Sequence, residues 1–529
     1  MIIGLILVVV IVCIAALALS GNSLQDNDPR HIVVADTTTE PEYGFNSVNG
    51  WGSGHINKNT LIYSTLFKTD ANGTFVNDLA TGYNISSDGL TWTVDIRGDV
   101  KFSNNKSLDA EDVAFTFNEA KNAATDLDLT NLENAVAVDN NTIEFNLATP
   151  KSSFIYDLRY LGIVSQEDYN NETYGENPIG SGPYVLKEWN KGQQAIFEYN
   201  PSYYGDEPYY NQITLIFPDD SSVLELVRSG EVDVASVSVN ALNETIDGYY
   251  KINLSANRAQ GISLPYLPDT GNLTEDGLPI GNNVTSDKAI RDALNIGINR
   301  SSIVETVFKG YGDPEYTGLD SRPFANSQAA VEDGNVEGAK TLLEENGWID
   351  SNGDGIREKN GINASFKLYY MAEELDRQSV SVLLSEQARE LGIDIQLEGK
   401  DKDTVYDNMY SSSAYWQQSS ISPYDAVYQQ FHSKEPDNSY FNPNLYNNSE
   451  VDQLLEQALE TTDLEEANSY WSQAALTSNG GGYGPAGDAP WLWIATYDFV
   501  YFVRDGMDIN QNRPDNVGND ILVNVLDWK

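Results

Sequence analysis

Between Asp88 and Ala124 the alternation of apolar and polar residues predicts a strand, a turn and a helix in succession. Leu90, Trp92, Val94 and Ile96 interleave with Thr91, Thr93, Asp95 and Arg97, the period of two that gives a strand one buried face. Gly98-Asp99 turns the chain and Val100 and Phe102 resume the pattern. Asn104-Asn105-Lys106 then breaks it with residues that tolerate left-handed backbone. Asp109 is placed to cap a helix. Its first turn sets Glu111 and Asp112 at the positive end of the helix dipole, while Val113, Phe117, Ala120 and Ala124 recur on one face.

The same reading extends along the chain. Ile32-Val33-Val34 predicts a first strand and Thr142 to Leu147 another. In "NPIGSGPYVLKEW", Pro178, Gly180, Gly182 and Pro183 predict a tight irregular turn before a strand from Tyr184 to Trp189. The Lys-Ser/Thr pair and following helix of a phosphate loop are missing there, so the glycines serve structure. Val223, Leu226 and Val227 share a helical face that Gly230 stops, ahead of a short strand at Val232 and Val234.

From Asn253 to Thr285 the chain turns rich in Pro, Gly and Asn, which marks a domain boundary. Helices follow from Ala289, Ser301 and Ala339. Asp350, Asn352, Asp354 and Gly355 match the opening of a calcium loop, but the twelfth position is Gly361 instead of a bidentate Glu, so the segment reads as an Asx- and Gly-rich turn. Phe366 to Tyr370 and Ile393 to Leu397 flank a helix from Arg377 to Leu391, a βαβ-like unit. Trp491 to Phe502 is strand-like and aromatic.

A chain of 529 residues is too long for one core and calls for two or three domains. Its net charge of −48 opposes binding to nucleic acid or an anionic membrane, because phosphates would repel it. The first nineteen residues carry no charged side chain, and such a run is long enough to cross a bilayer. It reads as a retained anchor; a cleaved signal peptide is the other reading, although no Lys or Arg precedes the apolar stretch. The single cysteine, Cys13, lies inside this run, so the rest of the chain holds no disulfide and no thiolate site. Sequons at Asn72, Asn84, Asn171, Asn243, Asn272 and Asn363 fit exposure outside the cell.

The segment "GLTWTVDIRGDVKFSNNKSLDAEDVAFTFNEA" resembles the signature of the family 5 extracellular solute-binding proteins, the peptide- and nickel-type receptors of ABC importers. "NPIGSGPY", "SGEVDVA", "AIRDALNIGINRSSIVETVFKGYG" and "GWIDSNGDGIREKNG" extend the resemblance. It implies an α/β, two-lobed periplasmic-binding-protein-like fold of type II, a Venus flytrap, here with an N-terminal apolar anchor. The implied order is anchor or signal peptide over 1–20, linker over 21–31, first lobe over 32–254, second lobe over 255–490 and a return to the first over 491–529.

The resemblance also implies a site. Trp51 in "NGWGSGH" falls where nickel-type members present an aromatic ring, and Ile56 where they have an apolar or thioether side chain. In "AYWQQSSISPYDAVYQQFH", whose third residue is Trp416, Pro423-Tyr424-Asp425 is in register with the family's Pro-Tyr-Asp. Ser420 replaces the family's pocket Trp, Ala426 its Pro and Val427 its first His. The Asp-Tyr-x-Asp-Pro arrangement of peptide-type members is missing, so Asp425 can hold a ligand's amino terminus only by turning inward to a partner. Arg159 in "YDLRYLG" stands in for a shortened arginine-bearing stretch, and His432 is the candidate metal ligand.

No His-Glu-x-x-His, Gly-x-Ser-x-Gly or Gly-Lys-Ser/Thr motif occurs. What the resemblance implies is a monomeric receptor without cofactor or catalysis. It captures a short peptide or related organic solute outside the cell and passes it to an ABC permease with a separate ATPase. A nickel or metal-chelate receptor of the same family is the alternative. A secreted hydrolase acting on peptides or glycans and a surface adhesive protein are the readings from other classes.

Overall fold

The computed structural model describes residues 28–35, 40–41, 44–49, 59–70, 73–123, 127–255, 258–433, 441–510 and 521–529. Trp92, Val94 and Ile96 turn inward from the strand Thr91–Ile96. That strand is central in an antiparallel sheet ordered Ala80–Ile85, Thr91–Ile96, Thr142–Leu147, Leu132–Asp139. The helix Ala110–Asn122 buries Val113, Phe117 and Ala120. Asp109 caps it by accepting from the Glu111 N–H, and the Asp112 carboxylate accepts from the Asp109 N–H in return.

A seven-stranded sheet lies on the same core. Its order is Tyr249–Leu254, Phe499–Arg504, Val234–Val237, His31–Ala35, Gln212–Ile216, Gln194–Tyr199, Tyr184–Asn190. His31–Ala35 runs parallel to both its neighbours and the other pairs are antiparallel. One hydrophobic cluster runs from Ile32 and Val34 through Trp92 and Phe117 to Leu522 and Trp528, so both sheets and the end of the chain form one lobe. The glycines before Tyr184 are set by close approach: a Cβ on Gly180 would fall 2.0 Å from the Ile62 carbonyl oxygen.

The second lobe is built on a five-stranded sheet ordered Asp394–Lys400, Ser365–Met371, Ser413–Gln418, Ala259–Ser263, Trp491–Thr496. Ser365–Met371 and Asp394–Lys400 pair in parallel around the helix Leu375–Glu390, the predicted βαβ unit. Arg300 is fully buried where this lobe's pieces meet: its guanidinium donates to the carbonyls of Asn295, Glu315 and Trp493 and to Asp333. The helices Ser449–Glu460 and Leu464–Ala475 form a separate layer with Trp491 and Trp493. The loop at Asp350 is closed on itself, with the Asp350 carboxylate accepting from the N–H groups of Gly353 and Gly355.

The chain passes between lobes twice, between Leu254 and Ala259 and again between Thr496 and Phe499. These passages lie side by side, because Leu254 faces Phe499 in one sheet and Ala259 faces Thr496 in the other. Asn253 Nδ2 ties them by donating to Asp498 Oδ2 at 2.6 Å. The return to the first lobe thus falls at 497–498 and not at 491. Trp491–Thr496 is buried at every position as an edge strand of the second sheet, covered by the helices Lys288–Gly297 and Arg300–Val307.

Among the described residues no helix is long and apolar enough to cross a membrane; the apolar run at 1–20 lies outside them.

Candidate ligand site

Pro150 ends the strand-following turn and delivers Lys151, Ser152 and Ser153 to the seam between the lobes, where all three are buried. The helix Phe154–Tyr160 follows. It buries Phe154, Ile155 and Leu158, and Asp157 lies on that same buried face. Lys151 and Asp157 pair at 2.7 Å with side chains 4% and 6% exposed, and the ammonium is also 3.4 Å from the Asp128 carbonyl.

The second lobe meets this pair with Tyr424 and Asp425, which open the π-type turn Tyr424–Tyr428. The Tyr424 ring lies 4.4 Å from Lys151 Nζ, and Asp425 Oδ2 accepts from Ser420 Oγ at 3.2 Å. Tyr428 stacks on Tyr424 at 5.3 Å and His432 on Tyr428 at 4.6 Å, a ladder of rings at four-residue spacing. Ser152 adds two bonds to the end of a second-lobe helix: its N–H donates to the Leu459 carbonyl at 3.0 Å and its hydroxyl to the Ala458 carbonyl at 2.6 Å.

Three carboxylates, Asp128, Asp157 and Asp425, thus act on one ammonium. Burial pushes the Asp157 carboxyl up to about 7 against the pull of Lys151, and burial likewise raises Asp425. Burial alone would lower the Lys151 ammonium, but Asp157 and then Asp425 outweigh it and raise the group. The cluster sets one lysine among three acids, two of which burial favours in the neutral form.

Beside it lies a cavity of about 300 Å³, lined by Phe75, Ser153 and Tyr156 from the first lobe and Pro423, Asn468 and Trp471 from the second. Phe75 and Tyr156 pack edge to face at 4.8 Å, which gives one wall a firm apolar surface.

The structure brings together some of the residues expected from sequence. Tyr424, Asp425 and Ser420 meet at the seam, where Asp425 accepts from Ser420 and feels the charge of Lys151. Trp416 is half-buried in Ser413–Gln418, with its ring 6.1 Å from Tyr406 and 6.2 Å from Trp491, all in the second lobe. Arg159 is half-buried on the helix Phe154–Tyr160, two residues from Asp157 and so about 200° around the axis from it. His432 Nε2 lies 3.4 Å from Glu456 Oε1, and among the described residues no group of three or more His, Cys, Asp and Glu is placed to hold a metal ion. Trp51 and Ile56 lie outside the described residues.

Lys151, Ser152 and Asp157 escaped the sequence reading. The signal available was Asp157 itself, an acid on the apolar face that Phe154 and Leu158 define.

With this geometry in view, residues 74–453 match the profile of the bacterial extracellular solute-binding proteins, family 5 middle. The chain belongs to that family. The oligopeptide-binding protein AppA of Bacillus subtilis is 26% identical over 498 residues, 88% of this chain and 86% of its own. The nickel-binding periplasmic protein of Escherichia coli is 28% identical over 360 residues, 66% of this chain and 67% of its own. Among solved structures, NikA from Brucella suis in complex with Fe(III)-EDTA superposes with a TM-score of 0.76 at 20% identity, covering 95% of this chain and all of that one. Family 5 proteins are extracellular or periplasmic binding proteins of two-lobed α/β architecture, and this chain is such a substrate-binding receptor of an ABC importer.

Proposed function

We propose that this family 5 receptor captures a short peptide or a related organic solute bearing an ammonium group, by hinge bending where Leu254 pairs with Phe499 and Ala259 with Thr496. The observation that supports the reading is the seam itself, where the second lobe's Tyr424 ring lies 4.4 Å from Lys151 Nζ and the Asp425 carboxylate acts on the same ammonium that pairs with Asp157. A peptide amino terminus is a compact cation with three donors, suited to the Asp425 carboxylate and the Tyr424 ring. Phe75, Tyr156 and Trp471 supply apolar contact for a side chain in the adjoining cavity.

In this reading Trp51, Ile56, Arg159 and Trp416 complete the pocket wall, the chain does no chemistry on its solute, and it works as a monomer without cofactor. The N-terminal apolar run holds it at the outer face of the membrane, where it delivers the solute to a permease with a separate ATPase. A nickel or metal-chelate ligand is the second reading. It is supported by the 28% identity to the nickel-binding protein and by His432 at the end of the aromatic ladder.

Native mass spectrometry of the purified chain separates the two. A retained mass that fragments into amino-acid residues is expected; a retained nickel or metal-chelate mass selects the second reading. Turnover of peptide or glycan substrates by the purified protein would overturn both.

A further inference from the structure

The seam is held by groups that belong entirely to the chain. Ser152 gives its N–H and its hydroxyl to the last carbonyls of the helix Ser449–Glu460, at 3.0 and 2.6 Å. These are acceptors that a helix end leaves without partners of its own and that carry the negative end of its dipole. One residue earlier, Lys151 sets an ammonium 4.4 Å from the Tyr424 ring, beside Asp425. That is the arrangement in which the second lobe would receive a cation from a ligand. The segment is anchored on its own side, since Lys151 is bonded to Asp157 and only 4% exposed, so it is presented as a fixed feature of the first lobe. Leu464, from the following helix, packs against the first lobe's core and extends the contact.

We infer that Lys151 and Ser152 form a built-in latch that closes the seam without a ligand by giving the second lobe an ammonium and two hydrogen-bond donors of the chain's own. This rests on the hinge-bending reading above. The latch makes the empty receptor predominantly shut, with a solute entering from the minor open population and competing with Lys151 for Tyr424 and Asp425. Selectivity for cationic solutes then depends on that competition as well as on the pocket's own contacts.

The test measures interlobe distance in the full chain by pulsed electron spin resonance. Spin labels are placed at Val138→Cys and Val382→Cys, both exposed, in a Cys13→Ser background. Bound solute is first removed by unfolding and refolding, with its absence checked by native mass spectrometry. One dominant short distance is expected in the parent. Ser152→Ala, Tyr424→Leu and the charge-neutral pair Lys151→Met/Asp157→Asn are each expected to lower the ratio of short to long distance, roughly fivefold for the lost Ser152 hydroxyl bond. Ser152→Trp, a wedge too large for the buried Ser152 position, serves as a control for motion. If the wedge lengthens the distance and the three mild variants do not, the latch is overturned and the hinge stands. If no variant changes it, both fall. A parent that is mainly open also overturns the latch.

Discussion

The ammonium of Lys151, bonded within the first lobe, rests 4.4 Å from the ring of Tyr424 on the second. The cation and the aromatic face are thus brought together only when the lobes are in contact, and the acids around them determine what else the seam will hold.

Replacing Asp425 by Asn removes the carboxylate proposed to meet the ligand's ammonium. Affinity for the solute should fall by roughly 30-fold, about 2 kcal/mol, as measured by titration calorimetry with the solute recovered from the native protein. An N-acetylated form of the same solute should bind parent and variant alike. Equal loss with both solutes would show that Asp425 acts on folding and not on the ligand's charge.

Stability should decline as pH rises from about 5 to about 8. Burial holds the carboxyl of Asp112 up to about 6, Asp157 up to about 7 and Glu315 up to about 8. Each lies above its unfolded value near 4, so the stability it contributes is complete below that value and is lost as pH climbs through the folded one. Asp99, held low by its hydrogen bonds to Arg97, and Asp219, held low by Ser221 and Ser222, work in the opposite sense, but only at or below about pH 4. Melting temperature against pH should therefore slope downward over this window, and Lys151→Met/Asp157→Asn should flatten it.

Added salt should raise the melting temperature. A charge of −48 repels itself across the surface, and at 0.1 M salt the screening length is about 10 Å. A scan from low to high sodium chloride is expected to show a rise; an unchanged value would mean that the acids are already neutralised in local pairs.

Gly180→Ala should destabilise the first lobe by about 2 kcal/mol or more, because the new Cβ would meet the Ile62 carbonyl oxygen, a backbone atom that cannot step aside cheaply. Urea denaturation measures it. A Gly192→Ala variant, whose Cβ meets no atom within 4 Å, separates crowding from the strain of its left-handed backbone at φ +75°.

Much of the first lobe could be read from the sequence because its elements bury one face. Trp92, Val94 and Ile96 show the period of a half-buried strand, and Asp109 with Asp112 shows the cap of the next helix. Sheet order could not be read that way. His31–Ala35 lies between strands that begin at Gln212 and Val234, and such distant pairings leave no local sign in any of the three. Trp491–Thr496 is buried on both faces and so loses its alternation, which is why the boundary was read too early. At the seam, Tyr424 and Asp425 were legible from a motif. Lys151 was not, since a lysine after a proline has the local signature of an exposed turn, and its burial comes from Asp157 and from the opposite lobe.

The neighbouring register of Leu254 with Phe499 and of Ala259 with Thr496 makes the whole segment from 259 to 496 an insert whose two ends lie about one strand spacing, roughly 5 Å, apart. A relative's corresponding segment could be grafted there with two joins at adjacent points of the backbone. Recombination at those joins would exchange Tyr424, Asp425 and Trp471 as one cassette while leaving Lys151, Ser152 and the recipient's own outer face in place.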